Sequence, residues 1–506
     1  FLQGEAEVLN KGDVGAEGDA HVEAQVRAQP PMMALTPPST ASHWPVMCLP
    51  ASWAPLSLAI SPKLSPAKLN WPKLHSPGLF FTPARGRERP LPGRSSRWTS
   101  LNPLEPWSET SLLRLISLWA ATAAVHAWLY FEALLNPQTA PFNDVNLYGY
   151  WVYQMTSNSG TLGLNEPWVY PFLALVPMVV AKWIGATSGI LFGWIILVGL
   201  LHLIALSAVV DWGRAGKPAF KAVGFYLIYM VLLGPVAIGR IDSIAAFFAL
   251  LGVVQVQHNR ARLAMIFFTL GAWIKIWPVA AAISVFAAVK SKLRAVLVAI
   301  ATSAAVLTFG VLLGGNENLL SFVAMQGNRG LQVESVFATF WVWAAKFGAP
   351  GAGIYFDNQL VTNQVSGTFT NEVAWLLGPG MAIAIAITAF LGIRAYRAGA
   401  ETKHLFVATF LTATLDLIVF NKVGSPQFEI WLAVPLMAGV LFGLEKWRMP
   451  LIAGSAIALL TNLLYPIFYM DLMALGWLGI AILTLRNVLL IALLVWANLR
   501  LSKLAS

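Results

Sequence analysis

Five short polar segments interrupt a chain that is otherwise strongly apolar. Each holds ionisable or amide side chains next to long apolar runs, where charged groups are rare and usually functional. In chain order the segments are residues 143–148 with 165–171, 239–243, 273–278, 326–335 and 421–427. If they lie on one side of a membrane, we expect them to form a single polar site.

Four cations in these segments are suited to binding a phosphate group. Arg240 and Arg329 carry planar guanidinium groups that match two phosphate oxygens. Lys275 and Lys422 supply point charges. Tryptophan and tyrosine rings nearby suit the apolar faces of sugars, and amides suit sugar hydroxyls. The mixture predicts a site for a phosphorylated sugar carried by a lipid.

Asp144 is the candidate catalytic residue. It follows the first predicted membrane span closely enough to act at the interface as a general base toward an acceptor hydroxyl. No cysteine or histidine set is suited to zinc, and we predict neither a metal nor another cofactor. The candidate substrate-binding residues are Glu166, Arg240, Asp242, Lys275, Arg329, Gln332, Glu334, Asn421, Lys422 and Gln427.

Structural interpretations of the same residues stay open at this point. Asp144 is also placed to be a solvated loop acid or a helix cap. Arg240 and Asp242 are two positions apart and could pair with each other as a structural salt bridge. Lys275 could extend to the membrane interface without binding anything.

Other candidates have structural alternatives as well. Glu166 precedes a proline and suits an ordinary turn. Arg329 and Glu334 could pair within their own segment. Lys422 and Gln427 could satisfy the backbone at the end of a broken helix.

The overall composition excludes a soluble enzyme. Of the 506 residues, 57% are hydrophobic and 11% are charged, whereas soluble domains are about half apolar and about a quarter charged. The excess of apolar residues predicts a membrane protein with many spans. The formal net charge is +10, and with so few charged residues an anionic membrane surface fits it better than nucleic acid. The single cysteine, Cys48, excludes an intrachain disulfide framework.

The chain divides near residue 110 into two parts of different composition. Residues 1–110 hold more than half of the 30 prolines and show no sustained apolar periodicity, so we expect a disordered, proline-rich tract. Its first residue is Phe1 rather than methionine, which leaves open that the tract is not native but a fragment or an over-extended reading frame. Residues 111–506 form the predicted transmembrane domain.

Long apolar runs in this second part predict an all-α polytopic membrane protein with about twelve transmembrane helices. A span needs about 20 apolar residues. The candidate spans are 111–134, 187–210, 222–239, 241–257, 263–277, 278–289, 295–314, 373–393, 404–420, 427–445, 449–466 and 474–499. Two further apolar stretches, 169–186 and 336–347, are interpreted as interfacial helices of the outer loops.

Positive charges between the runs set the predicted orientation. Lysine and arginine residues cluster before the first span and again around 214–221, 260–262, 290–294, 394–403, 446–448 and 500–503. Cytoplasmic loops carry such an excess, and all the clusters share one side only if 169–186 and 336–347 do not cross. We therefore predict a multi-pass protein of the cell membrane with both termini in the cytoplasm and the polar segments on the extracytoplasmic side.

The polar segments resemble the motifs of glycosyltransferase family 87, in the C superfamily of glycosyltransferases. The matching motifs are Asp144-Val-Asn-Leu-Tyr, Arg240-Ile-Asp242, Lys275-Ile-Trp-Pro278, Arg329-Gly-Leu-Gln-Val-Glu-Ser335 and Asn421-Lys-Val-Gly-Ser-Pro-Gln427. The resemblance covers roughly residues 111–500. It implies a polyprenyl-phosphate-mannose-dependent alpha-mannosyltransferase in which Asp144 is the catalytic base and the cations bind the donor phosphate.

Two positions depart from the family pattern. Related enzymes often carry Asp-x-Asp in the first outer loop, but the third position here is Asn146, which weakens the case for a divalent metal. Gly424 stands where a bulkier residue is expected, so the local packing there should differ.

The combined prediction is a membrane glycosyltransferase that moves mannose from a polyprenyl-phosphate donor to a glycolipid or lipoglycan acceptor on the extracytoplasmic side. Its expected partners are the lipid-linked donor, the glycolipid acceptor and the bilayer, without nucleic acid. A pentosyl (arabinosyl) transferase using the same carrier is one alternative, because no residue identifies the sugar. A flippase or transporter of lipid-linked sugars is another; the absence of a convincing internal repeat and the placement of polar motifs at one membrane face favour the enzyme.

Overall fold

The computed structural model of this protein describes residues 108–157, 160–325, 329–358 and 360–506. Of the tract predicted to be disordered, residues 1–107 lie outside the described residues, and residues 109 and 110 already belong to the first helix. The described ranges are mainly helical, with one short hairpin.

The described helices account for every predicted span. They are α1 (Glu109–Leu134), α2 (Asn143–Thr156), α3 (Leu175–Ile184), α4 (Ile190–Val209), α5 (Lys217–Leu233), α6 (Asp242–Gln257), α7 (Ala261–Ile274), α8 (Val279–Ala288), α9 (Lys292–Leu312), α10 (Ser321–Ala324), α11 (Thr339–Lys346), α12 (Thr370–Arg397), α13 (Thr402–Val419), α14 (Ile430–Leu441), α15 (Arg448–Asn462), α16 (Tyr469–Met473) and α17 (Trp477–Leu504). The predicted fold class, an all-α polytopic membrane protein, is confirmed.

Seven of the helices in the described ranges are long and apolar enough to cross a membrane. They are α1, α4, α9, α12, α13, α15 with its continuation to Ile467, and α17. The other predicted spans are α5, α6, α7, α8 and α14, which have 17, 16, 14, 10 and 12 residues. At 1.5 Å per residue α8 measures about 15 Å, half of a typical hydrocarbon core. The number of twelve spans stays a prediction.

The two stretches interpreted as interfacial also form short helices. Residues 169–186 contain a 3₁₀ turn, Phe172–Ala174, that leads into the ten-residue α3. Residues 336–347 contain the eight-residue α11, which measures about 12 Å and is too short to cross a bilayer. Their placement at the interface stays a prediction.

Burial separates the central helices from the outer ones. In α13 every residue from Leu405 to Val419 is buried, and α14 is buried along almost its whole length. In α9 and α12 only 17% of the residues in the apolar window are buried, so both present most of their surface outward. Long, largely apolar helices with this exposure are suited to contact with lipid.

The connection between α5 and α6 depends on a glycine. Gly234 ends α5 with a φ of 75°, and Pro235 begins the 3₁₀ turn Pro235–Ala237 that follows. A Cβ atom on Gly234 would lie 2.1 Å from Oδ1 of Asn462. Asn462 in turn donates a hydrogen bond of 2.7 Å to the buried Glu132 carboxylate. Close approach at Gly234 therefore lets α1, α5 and α15 meet beside the turn that carries Arg240.

A β-hairpin that the sequence did not predict lies between α11 and α12. Strands β1 (Gly353–Asp357) and β2 (Thr362–Ser366) are antiparallel, with Gly353 opposite Ser366 and Asp357 opposite Thr362. Residues 331–333 lie along β2: the Val333 amide donates to Asn363 and the Val365 amide donates to Leu331, each at 3.0 Å. The hairpin therefore supports the polar segment that contains Gln332 and Glu334.

Candidate active site

The polar segments and the basic clusters occupy alternate connections between helices. The α5–α6, α7–α8 and α13–α14 connections carry polar segments, whereas the lysine and arginine clusters lie in or beside the α4–α5, α6–α7, α8–α9, α12–α13 and α14–α15 connections. The polar segments meet through direct side-chain contacts. The contacts form two groups, which differ in how their charges are neutralised.

Asp144 and Arg240 form the first ion pair. Arg240 Nε lies 3.2 Å from Asp144 Oδ2, and its Nη1 donates a hydrogen bond of 2.7 Å to the Pro141 carbonyl. Burial opposes the charge of Arg240, but the Asp144 carboxylate, together with the nearby Tyr465, Tyr148 and Tyr170 side chains, outweighs it and raises the pKa of the guanidinium. The Asp144 side chain is 35% exposed. Asp144 in the first turn of α2 is thus oriented by a buried cation while its carboxylate stays open to an incoming hydroxyl.

Asp242 and Lys275 form the second ion pair. Lys275 Nζ lies 3.9 Å from Asp242 Oδ2, and the buried Trp431 indole donates a hydrogen bond of 2.7 Å to Asp242 Oδ1. The Lys275 ammonium also lies 4.3 Å from the centre of the Tyr170 ring, a cation–π contact. The alternative in which Arg240 and Asp242 pair with each other is wrong, because each binds an oppositely charged residue from another segment. We call these four ionisable residues, Asp144, Arg240, Asp242 and Lys275, the charge-balanced half of the site.

Tyr170 lies between this half and the remaining cations. Burial raises the pKa of Tyr170; among the nearby charges, Lys275 and Arg329 lower it, and Asp144 and Asp242 raise it further. A single phenol therefore lies within electrostatic range of charges from four polar segments. Tyr170 belongs to the polar segment 165–171 but was not among the predicted site residues.

Arg329 and Lys422 form the second group, which we call the cationic half of the site. Burial, and then the charge of Arg329, lowers the pKa of Lys422, so the two cations repel each other. Burial also lowers the pKa of Arg329. Within the described ranges Arg329 makes no ion pair, and its buried Nε lacks a hydrogen-bond partner. Two adjacent like charges, one of them short of acceptors, are suited to binding an anion.

Gln332 and Glu334 connect the cationic half to the rest of the site. Gln332 Oε1 accepts a hydrogen bond of 3.0 Å from the Gly424 amide, and its Nε2 donates one of 2.7 Å to Glu334 Oε2. A Cβ atom on Gly424 would lie 2.3 Å from the Ser335 backbone nitrogen. The glycine that departs from the family pattern therefore allows the two segments to touch through their backbones.

Glu334 is a buried carboxyl group near several charges. Burial raises its pKa to about 7, against the lowering effects of Arg486, Arg240 and the Gln332 hydrogen bond. Its Oε1 atom is buried without a hydrogen-bond partner. Glu334 therefore changes its charge close to neutral pH. The alternative in which Glu334 pairs with Arg329 is not observed.

Sequence reasoning missed Arg486 and Asn487, which lie within α17. The Arg486 guanidinium donates to the Glu334 backbone carbonyl and to Asn487 Oδ1, and Asn487 Nδ2 donates to Thr339 Oγ1 at 2.7 Å. Arg486 is the only charged residue between positions 472 and 499. A lone arginine in such an apolar run is the signal that could have identified it.

Three of the predicted site residues, Glu166, Asn421 and Gln427, make none of the contacts described above. Glu166 is exposed in a turn in which its carbonyl accepts from the Gly163 amide. Asn421 Oδ1 accepts a hydrogen bond of 2.9 Å from the Val423 amide, as in an Asx turn. Gln427 is half-buried in the 3₁₀ turn Pro426–Glu429. Their roles in substrate binding stay predictions.

Proteins hold metal ions with clusters of histidine, cysteine, aspartate or glutamate side chains. Among the described residues, no three such side chains are grouped so that they could bind a metal. The expectation of a metal-independent site stays a prediction.

Comparison with known families gives a match over the central part of the chain. The sequence model of glycosyltransferase family 87 matches residues 168–420, which is half of the 506 residues. The matched range includes Arg240, Asp242, Lys275, Arg329 and Glu334, and it ends just before Asn421. Comparisons with curated proteins and with solved structures found no match to this chain.

Proposed function

The chain belongs to glycosyltransferase family 87, and from this premise we propose that it transfers mannose from a polyprenyl-phosphate carrier to a glycolipid or lipoglycan outside the cell membrane. The family membership and the apolar helices make it a membrane glycosyltransferase. The sugar, the carrier, the acceptor and the side of the membrane are parts of the proposal. The resemblance of the five polar motifs to the family supports the mannose donor.

One observation supports the proposal most directly. Asp144 lies beside a group of cations, and carboxylates neutralise only some of them. Arg240 and Lys275 each have an ion pair with an aspartate. Arg329 has no such pair among the described residues, and it acts on Lys422 as a like charge. A phosphate diester of a lipid-linked sugar would balance these cations. We therefore assign the donor phosphate to the cationic half and the acceptor hydroxyl to Asp144.

The proposed reaction is a single displacement. Asp144 accepts the proton of the acceptor hydroxyl as its oxygen forms a bond to the anomeric carbon of the sugar. The bond between that carbon and the phosphate oxygen breaks at the same time, and polyprenyl phosphate leaves with the bonding electrons. Arg329 and Lys422 stabilise the negative charge that develops on this phosphate. Attack opposite the leaving group inverts the anomeric configuration.

The alternation of basic and polar connections supports an outward-facing site. Loops rich in lysine and arginine face the cytoplasm in most membrane proteins. The polar segments lie at the opposite helix ends from these loops. The proposed site therefore opens to the extracytoplasmic side, where a polyprenyl-linked sugar in the outer leaflet can reach it.

The depth of the site suits a substrate that stays in the bilayer. Arg486 is the tenth residue of α17, about 14 Å from the start of that helix. It nevertheless contacts the backbone of Glu334, so this polar segment is recessed below the end of α17. A site recessed in this way is suited to a donor whose polyprenyl chain stays in the membrane.

A transfer assay tests the proposal directly. Membranes containing the full chain are incubated with radiolabelled polyprenyl-phosphate mannose, and lipid extracts are analysed for a labelled glycolipid. We expect labelling by the native chain and almost none by Asp144→Asn. Labelling only from a pentose donor would overturn the mannose assignment. Movement of the intact lipid-linked sugar without a new glycosidic bond would indicate a transporter.

A further inference from the structure

A buried arginine lies beside the site and outside the range that matches the family. Arg486 in α17 is 1% exposed. Placing a guanidinium in such surroundings is unfavourable unless hydrogen bonds and opposite charges compensate for the lost water. The contacts that Arg486 makes therefore indicate why an apolar helix carries it.

Those contacts hold the segment that contains Glu334. Arg486 Nη2 donates to the Glu334 backbone carbonyl, and both Nε and Nη2 donate to Asn487 Oδ1 at 3.0 and 2.9 Å. Asn487 Nδ2 donates to the Ser335 carbonyl at 3.3 Å and to Thr339 Oγ1 at 2.7 Å. Two adjacent side chains of α17 thus bind the backbone of Glu334 and Ser335 and the side chain of Thr339 at the start of α11.

Arg486 also affects the ionisation of the Glu334 carboxyl group. Its Nη1, the Glu334 Oε1 atom and the Glu429 Oε2 atom are all buried without a hydrogen-bond partner. The charge of Arg486 opposes the rise that burial causes in the Glu334 pKa. The other groups that face Glu334 are Arg240 from the α5–α6 turn, Gln332 from its own segment, Tyr465 from the end of α15 and Tyr469 from α16.

The charge of Glu334 matters because Arg240 interacts with two carboxylates. Arg240 pairs with Asp144, and it also lies within electrostatic range of Glu334. An ionised Glu334 carboxylate also attracts the Arg240 guanidinium. This second attraction weakens the ion pair between Arg240 and Asp144. A less strongly held carboxylate is a better acceptor for the proton of the acceptor hydroxyl.

We propose that Arg486 and Asn487 are positioning residues for glycosyl transfer: they hold residues 334–339 against α17 and keep Glu334 ionised beside Arg240. Neither residue touches the substrate. The inference rests on the proposed function, in which Asp144 is the base.

The test is the dependence of the transfer rate on pH for the full chain and five variants. In the native chain we expect the rate to fall as Glu334 becomes protonated below about pH 7. Arg486→Gln removes the charge that favours ionised Glu334, so the midpoint of this fall moves up by about one pH unit. Arg486→Lys keeps the charge and the native midpoint. Asn487→Ala also keeps the midpoint but lowers kcat, because it removes the hydrogen bonds to Ser335, Thr339 and Arg486 while the charge of Arg486 stays.

Glu334→Gln distinguishes a role in charge from a role in folding. In this variant the transfer rate should no longer fall at low pH. Adding Arg486→Gln to Glu334→Gln should not change the pH dependence of the rate any further. An unchanged midpoint in Arg486→Gln, or a fall that persists in Glu334→Gln, would overturn the proposal. If Arg486→Gln does not fold, the result with Glu334→Gln still decides between these outcomes.

A spectroscopic readout separates this inference from the identity of the donor. The protonated carboxyl band in infrared difference spectra between acidic and neutral pH should lose one component in Glu334→Gln. In Arg486→Gln the same component should titrate at higher pH. If this component titrates at higher pH in Arg486→Gln but the chain does not transfer mannose from polyprenyl-phosphate mannose, only the proposed donor is wrong. A band that does not shift would overturn the role of Arg486.

Discussion

The two halves of the site use cations in different ways. In the charge-balanced half, the buried Arg240 and the partly buried Lys275 each have an aspartate carboxylate within 4 Å, and Lys275 also contacts the Tyr170 ring. In the cationic half, Arg329 and Lys422 act on each other as like charges. Sequence inspection treated the four cations as one phosphate-binding set. The difference indicates that Arg240 and Lys275 organise the site, whereas Arg329, which makes no ion pair among the described residues, is suited to binding an anionic substrate.

The comparison leads to opposite expectations for stability and for substrate binding. Removing one partner of a buried ion pair leaves a charge without compensation, which is strongly destabilising. Removing one of two like charges relieves repulsion and leaves folding almost unchanged. Substitutions in the charge-balanced half should therefore act on folding or on the catalytic base, and those in the cationic half should act on donor affinity.

The largest effect is expected for Asp144→Asn. The amide cannot accept the proton of the acceptor hydroxyl, and we expect the transfer rate to fall by about 10²- to 10⁴-fold. The measurement is incorporation of labelled sugar into glycolipid at saturating donor. Glu317→Gln is the control, since Glu317 is an exposed carboxylate outside the ion pairs. A rate for Asp144→Asn close to that of the control would show that Asp144 is not the base.

The next largest effect is expected on stability. Lys275→Met leaves Asp242, which is 1% exposed, without its cation, and we expect a loss of about 3 kcal/mol in the free energy of unfolding. Asp242→Asn combined with Lys275→Met should recover most of this loss. Thermal unfolding of the purified protein in detergent measures both. If the double variant is as unstable as Lys275→Met, the ion pair does not account for the position of Asp242.

A smaller and different effect is expected for Arg329→Gln. Loss of one charged hydrogen-bond donor to the phosphate should raise KM for the donor by about tenfold, with little change in the unfolding temperature. Arg329→Lys, which keeps the charge, should recover part of the affinity. Equal destabilisation by Arg329→Gln and Lys275→Met would remove the distinction between the two halves.

The smallest expected effect is a shift in pH dependence. The pKa of Lys422 lies below its ordinary value because of burial and the charge of Arg329. As pH rises, Lys422 therefore loses its proton earlier than an ordinary lysine, and KM for the donor should increase. In Arg329→Gln the like charge is gone, so the pKa of Lys422 rises and this increase moves to higher pH by a fraction of a unit. Donor KM measured between about pH 7 and about pH 10 tests the sign.

Several features of the fold followed from the sequence because they depend on local composition. Apolar runs predicted the helices; α7, for example, ends at Ile274, close to the end of the predicted span 263–277. The β-hairpin was not predicted. Its strands have five residues each and lie in a long connection, with Gly353 and three polar residues, Thr362, Asn363 and Gln364, in place of an alternating apolar pattern.

The candidate site was predicted as a set of residues but not as a set of contacts. The structure brings Asp144, Arg240, Asp242 and Lys275 together in two ion pairs. Gln332 has its amide oxygen hydrogen-bonded to the Gly424 amide and its amide nitrogen to Glu334, and its role in substrate binding stays a prediction. Another long-range contact joins the buried His126 of α1 and His202 of α4, where Nε2 of the first lies 3.1 Å from Nδ1 of the second.

By itself the sequence determined that this chain is a helical membrane protein, that its polar groups fall in alternate connections, and that its motifs are those of family 87. These properties depend on amino-acid composition, on the order of segments along the chain and on short motifs. Only the tertiary structure decided which carboxylate neutralises which cation, why Gly424 has no side chain, and that Arg486 contacts the site from α17. Such contacts join residues far apart in the chain, and they form only when the helices pack and water is excluded between them.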